Sequence, residues 1–343
     1  MPGPPEGPPG IDLSLLRSAR RVRSFSRRAF LGGATASALL AADTFVTREV
    51  QSRRRQTVLL EVADDDARQR FPGTSWILFP GYKTSWEEAR IILASLHSSL
   101  AERGQLAAVG YSNTGLDIDE VLDTLRVYVR QKRLRTLYFY GHSFGGMVAV
   151  EAASRLLAED GLQVQVILLD STPASKFDVL DQTWFDSVVY LYDIGIRIPS
   201  VVRGGYEFGE RAIHKNERTW TQILNQTLEQ LSPLAPSSVL IQTESQYIYD
   251  WDATRFGGAL GTAQMAFFGN PGDQTVAYAS ARSRWERLFA PNLVSSDLQT
   301  VGAFPAHASP QWSGIVYNRL LSQILPQLLP LPRRIGGGGG GPG

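Results

Sequence analysis

The stretch Phe139-Tyr140-Gly141-His142-Ser143-Phe144-Gly145-Gly146 sets a serine between small, flexible neighbours directly behind an aromatic run. As a bare pattern, G-x-S-x-G is common in a chain with 32 glycines, so its surroundings decide the reading. Upstream, residues 136–140 form a short apolar run behind the charged residues 131–135, which predicts a buried strand. Downstream, Met147, Val148, Val150, Ala153, Leu156 and Leu157 recur at helical spacing until Gly161 ends the pattern. Strand, sharp turn and helix together present the Ser143 side chain at the top of the turn, with Gly141 and Gly145 allowing close approach of the backbone.

The rest of the chain supplies the context for such a turn. From residue 57 onward, apolar strands alternate with amphipathic helices. Strands are expected at residues 57–63, 75–79, 106–111, 136–140, 164–169, 263–268 and 298–304. The run Asp64-Asp65-Asp66 reads as an acidic turn. Ser85 caps a helix carrying Trp86, Ala89, Ile92, Leu93 and Leu96, with Glu88 three residues on completing a capping box. Asp117 caps another, with Ile118, Val121, Leu122, Leu125 and Val129 spaced for one buried face. Further helices fit residues 279–289 and 311–328. This rhythm predicts an α/β fold with a mostly parallel sheet covered by helices on both faces.

Residues 172–261 break the rhythm. They are rich in aromatics, with helical stretches near 184–196 and 217–231, and residues 239–246 fit helix and strand equally. An insertion late in the sheet reads as a cap over the strand ends. The core is then assigned to residues 46–171 and 262–330.

Composition bounds the chemistry. The 343 residues are 43% hydrophobic and 20% charged, as in an ordinary globular protein. A formal net charge of +1 argues against a dedicated nucleic-acid binder. With no cysteine, disulfides, thiolate zinc sites and thiol catalysis are excluded. No apolar run reaches the ~20 residues of a membrane-spanning helix.

A serine hydroxyl is a weak nucleophile without a base, an orienting acid and a sink for developing charge. Of the four histidines, His97 falls inside a helix, His142 sits in the turn with its ring directed away from the serine, and His214 lies in the polar middle of the insertion. His307 follows the last strand, where a loop can return to Ser143. Asp273, in the turn Gly272-Asp273-Gln274-Thr275-Val276 after a strand, is the leading acid. Asp170, also at a strand end, is the alternative, whereas Asp250 and Asp252 read as solvated. The order Ser, Asp, His is the one in which this strand architecture supplies its triad. For the charge sink, the backbone amides of Phe144 and of Tyr82, in Phe79-Pro80-Gly81-Tyr82, are the candidates. Pro80 has no N–H to offer.

These segments, together with Ala306-His307-Ala308, resemble the α/β-hydrolase family, particularly its lipase, esterase and thioesterase-like members, over residues 57–328. Pro80 departs from the pattern, because the family usually carries a histidine before the oxyanion glycine. The resemblance implies cofactor-free, two-step acyl transfer from a small-molecule or lipid ester. Ser143 would be the nucleophile, His307 the base and Asp273 its orienting acid. A thioesterase or acyltransferase with the same triad remains open, as does a non-catalytic binding protein. Trp184, Phe185, Tyr190 and Tyr192 fit either an acyl pocket or plain cap core.

The N-terminal part resembles a twin-arginine export signal at Ser26, Arg27, Arg28, Phe30 and Leu31, followed by a weakly apolar Gly/Ala-rich stretch over residues 29–42. That reading implies export through dedicated machinery and places residues 1–45 outside the fold. A basic arm on a cytoplasmic protein is the alternative. The Pro/Gly-rich start and the glycine-rich end at 331–343 have few side chains to bury.

Overall fold

Strand β2 (Thr74–Phe79) shows how the molecule is layered. Its pleat sends Ile77 and Phe79 to one face and Trp76 and Leu78 to the other, and all four are fully buried. A strand apolar on both sides belongs in the middle of a covered parallel sheet. The computed structural model describes residues 54–180 and 236–329. The twin-arginine segment, His214, the helices expected at 184–196 and 217–231, the four aromatic pocket candidates and the glycine-rich end lie outside the described residues.

Among the described residues, seven strands form one sheet in the order β1-β3-β2-β4-β5-β6-β7. They are β1 (Val58–Glu61), β2, β3 (Gln105–Gly110), β4 (Thr136–His142), β5 (Val164–Asp170), β6 (Gln264–Gly269) and β7 (Leu293–Gln299). Only the β1–β3 pair is antiparallel among these neighbours. The helices of the described residues are α1 (Asp65–Arg70), α2 (Trp86–Leu100), α3 (Ile118–Lys132), α4 (Phe144–Asp160), α5 (Ser238–Asp250), α6 (Tyr278–Leu288) and α7 (Pro310–Leu328). Helices α2 and α7 cover one face through Ile92, Leu93, Leu96, Leu321 and Ile324. Helices α3, α4 and α6 cover the other through Val121, Leu122, Met147, Val150 and Trp285. Among the described residues, no helix is long and apolar enough to cross a membrane.

Caps set several boundaries as the sequence predicts. Ser85 Oγ accepts from Glu88 N at 3.1 Å, and Asp117 Oδ1 accepts from Asp119 N at 2.8 Å. Gly161 closes α4 in the left-handed region at φ 63°. Three expectations change. The acidic turn is instead the start of α1, with Asp64 accepting from Ala67 N as its N-cap. The ambiguous residues 239–246 are helical, within α5. The last strand runs Leu293–Gln299 rather than 298–304, because Thr300 to Phe304 form a turn with Gly302 at φ 91°.

Candidate active site

Ser143 sits between the end of β4 and the first turn of α4, with φ 53° and ψ −123°. That conformation is strained for a side-chain-bearing residue and persists only where the surroundings over-determine it. Here they do. A Cβ on Gly141 would overlap the Gly146 backbone, and one on Gly145 would overlap the carbonyl oxygen of Phe79. One on Gly146 would collide with the Thr172 side chain. Strand, helix and the loop after β2 thus close on the serine from three sides, and only glycine fits at these contacts. The Ser143 amide donates to Asp170 O at 2.7 Å, fixing the turn to the neighbouring strand.

The loops after β6 and β7 bring two side chains to this turn. His307 Nε2 lies 2.8 Å from Ser143 Oγ, and His307 Nδ1 lies 2.7 Å from Asp273 Oδ2. A carboxylate only accepts, so Nδ1–H donates to Asp273 and Nε2 is left to receive the serine proton. The other oxygen, Asp273 Oδ1, accepts from the amides of Thr275 and Val276 at 2.7 and 3.0 Å. Asn270 braces the same loop, accepting from Gly272 N at 2.9 Å and donating to Thr300 O at 3.0 Å. The carboxylate is almost fully buried and the imidazole is about one-fifth exposed, so the acid is fixed while the base is reachable.

The remaining candidates separate clearly. Asp170 is buried and accepts from Tyr140 OH at 3.0 Å; burial raises its carboxyl to about 7. Its Oδ2 takes the Tyr140 hydroxyl, whereas the His307 ring nitrogens meet Asp273 and Ser143. His97 pairs with Asp64 at 2.7 Å, far along the chain from the turn. Asp252 accepts from Thr254 N at 2.8 Å and Asp250 from Gln246 Nε2 at 2.6 Å, both local contacts. The Phe144 amide opens α4, where a first-turn N–H has no intrahelical partner. Tyr82 lies in the loop that packs on Gly145, its hydroxyl 2.7 Å from Ser245 Oγ.

Two groups beside the site carry no signal in the sequence. His142 bridges the loops after β2 and β7, with Nδ1 3.2 Å from Gly81 N and Nε2 2.5 Å from Ala308 O. Glu244, on α5, is fully buried and accepts from Lys83 N at 3.1 Å. Desolvation pushes its carboxyl up to about 8. The described part of the insertion therefore rests directly on the loop carrying Tyr82.

Comparison with known proteins bears on this arrangement. A family model for the thioesterase domain matches residues 92–183, a stretch that includes β4, the turn at Ser143 and α4. No curated protein sequence matches the chain. Among solved structures, a lipase-esterase related protein from Clostridium acetobutylicum superposes with a TM-score of 0.55 at 12% identity, over 78% of this chain and 99% of that one. An enol-lactonase from Burkholderia xenovorans gives 0.55 at 10% identity, over 78% and 96%. A thermophilic esterase from Thermogutta terrifontis gives 0.54 at 11%, over 79% and 93%. The parallel sheet, the glycine-lined turn after its fourth strand and these superpositions agree: the chain has the α/β-hydrolase fold.

Proposed function

We propose that the chain is a serine hydrolase of carboxylic esters that works through an acyl-enzyme. The observation carrying this reading is the continuous relay Ser143–His307–Asp273, with contacts of 2.8 and 2.7 Å. Ser143 Oγ attacks the ester carbonyl as its proton passes to His307 Nε2, which then protonates the departing alcohol. Water, deprotonated by the same nitrogen, releases the acid. Asp273 holds the ring in the required tautomer and offsets the imidazolium charge. The oxyanion is received by the amides of Phe144 and Tyr82, which belong to two elements that Gly145 lets into contact.

A thioester substrate is the second reading, favoured by the thioesterase-domain match over residues 92–183. A non-catalytic binding protein would have no need for a fixed acid, a reachable base and a strained serine in one hydrogen-bonded line. The test is turnover of matched aryl oxyester and acyl thioester series by the purified chain and by Ser143→Ala. The reading requires activity on at least one series that vanishes in the variant.

A further inference from the structure

The histidine beside the nucleophile occupies a place that the reaction above leaves unused. His142 ends β4, is 6% exposed, and makes two hydrogen bonds of opposite sense. Gly81 N–H points at Nδ1 at 3.2 Å, so Nδ1 must accept. The carbonyl oxygen of Ala308 can only accept, so Nε2, at 2.5 Å, must donate. Together they admit one state of the ring: neutral, with its proton on Nε2. Protonation would place an N–H against the Gly81 N–H. Burial and the nearby His307 hold the ring down to about 4, so it stays neutral in ordinary buffers.

What these bonds join matters more than their strength. Gly81 precedes Tyr82, whose amide is assigned to the oxyanion. Ala308 follows His307, the assigned base. His142 is itself covalently bonded to Ser143. One buried ring therefore ties the three loops that supply nucleophile, base and charge sink, through contacts spanning 61 and 166 residues. The fit is close on the Gly81 side, where an added Cβ would stand 2.9 Å from Nδ1.

Resting on the serine-hydrolase reading, we propose that His142 is a positioning residue that sets the separation between the oxyanion amide of Tyr82 and the base His307 by bridging Gly81 N and Ala308 O. It touches no substrate. Its effect is on the geometry at the moment charge develops, so it governs the rate of the chemical step and not the affinity of the pocket.

A fluorophosphonate probe reads that step directly. Ser143 Oγ forms the O–P bond as the P–F bond breaks, fluoride leaves, and the serine proton passes through His307 to solvent. Labelling rates of the folded fraction are compared for the full chain, His142→Phe, His142→Asn and His142→Gln, with the labelled residue identified by mass spectrometry. His142→Phe, which keeps a planar ring and removes both bonds, is expected to lower the maximal labelling rate about 100-fold with the half-saturating probe concentration unchanged. His142→Asn keeps an acceptor near Nδ1 and His142→Gln a donor near Nε2, so each loses one bond and is expected about three- to tenfold below the parent. Should the phenylalanine variant not fold, the two amide variants still decide: a maximal labelling rate about three- to tenfold below the parent, at an unchanged half-saturating concentration, in either of them supports the bridge. Parent-like rates in every folded variant overturn it, even with lowered melting temperatures. Equal loss in probe affinity and rate overturns it too, since that marks a collapsed pocket. A parent chain left unlabelled at Ser143 overturns the nucleophile assignment, and this inference with it.

Discussion

The backbone of Asp170 holds the nucleophile while its side chain turns elsewhere: Asp170 O accepts the Ser143 amide at 2.7 Å, and Asp170 Oδ2 takes the Tyr140 hydroxyl at 3.0 Å. The residue that rivals Asp273 in sequence is therefore close to the reaction, but the His307 ring nitrogens lie against Asp273 and Ser143. Asp273→Asn should lower kcat/KM about 10³- to 10⁴-fold through loss of the ring's tautomer. Asp170→Asn should lower it by less than about tenfold, because an amide oxygen can still accept from Tyr140. Reversal of that order in steady-state assays would move the acid to Asp170.

Removing the strain at Ser143 should separate stability from activity. Ser143→Gly abolishes turnover and, since glycine adopts φ 53° without cost, is expected to stabilise the fold by about 1 kcal/mol. Ser143→Ala abolishes turnover without that gain. Chemical denaturation of the three proteins checks the difference, and equal midpoints would show that the turn stores no strain.

Gly145→Ala should damage function and fold together. Its new methyl group overlaps Phe79 O and must push the loop carrying Tyr82 off α4. Expected are a stability loss of about 1–3 kcal/mol and a fall in kcat of at least about tenfold. A parent-like kcat would remove Tyr82 from the oxyanion assignment.

Glu244 gives a pH dependence with a definite sign. Its folded value of about 8 stands above the ordinary 4.5, so the folded state holds the proton more tightly. The stability this supplies is full below pH 4.5 and is lost as pH rises through 8. Glu244→Gln, which keeps the acceptor for Lys83 N, should melt progressively higher than the parent between pH 5 and 8, with the gap constant beyond. A gap independent of pH in calorimetric scans would mean that Glu244 ionises freely.

For the N-terminal pattern, the proposal is export on the strength of Arg27 and Arg28. Changing both to lysine preserves charge and removes the paired guanidinium groups. The double variant is expected to stay in the cell while the parent leaves it. Equal export would favour a plain basic arm.

The features legible in sequence are those written within a few residues of each other. The turn at Ser143 shows itself through its own flanks, and Asp273 and His307 show themselves as polar residues just past strand ends. Helix caps at Ser85 and Asp117 are local in the same sense. Long-range features were not legible. His142 acquires its meaning only from Gly81 and Ala308, on two other loops, and nothing adjacent to it signals a bridge. Glu244 falls in a stretch that fits helix and strand equally, and nothing in it signals burial until α5 is set against Lys83. Strand β7 leaves a weak trace in the sequence because it is an edge strand: most of Leu293–Gln299 is incompletely buried, so Ser295, Ser296 and Asp297 dilute the apolar pattern. Asp64 fits a turn as well as an N-cap, because both use the same residue types.

The order of the strands also governs how the site would be lost. Ser143 rises from β4, buried almost throughout in mid-sheet, whereas His307 hangs from the loop behind β7, a half-exposed edge strand. Opening energies within one protein range from near zero at such margins to the full unfolding energy in the middle. Heating should therefore detach the margin first, producing molecules with native circular dichroism and no reactivity. In thermal inactivation the half-life would then report the dwell time of one outer strand, and mutations that staple β7 to β6 would lengthen it without raising the melting temperature of the whole.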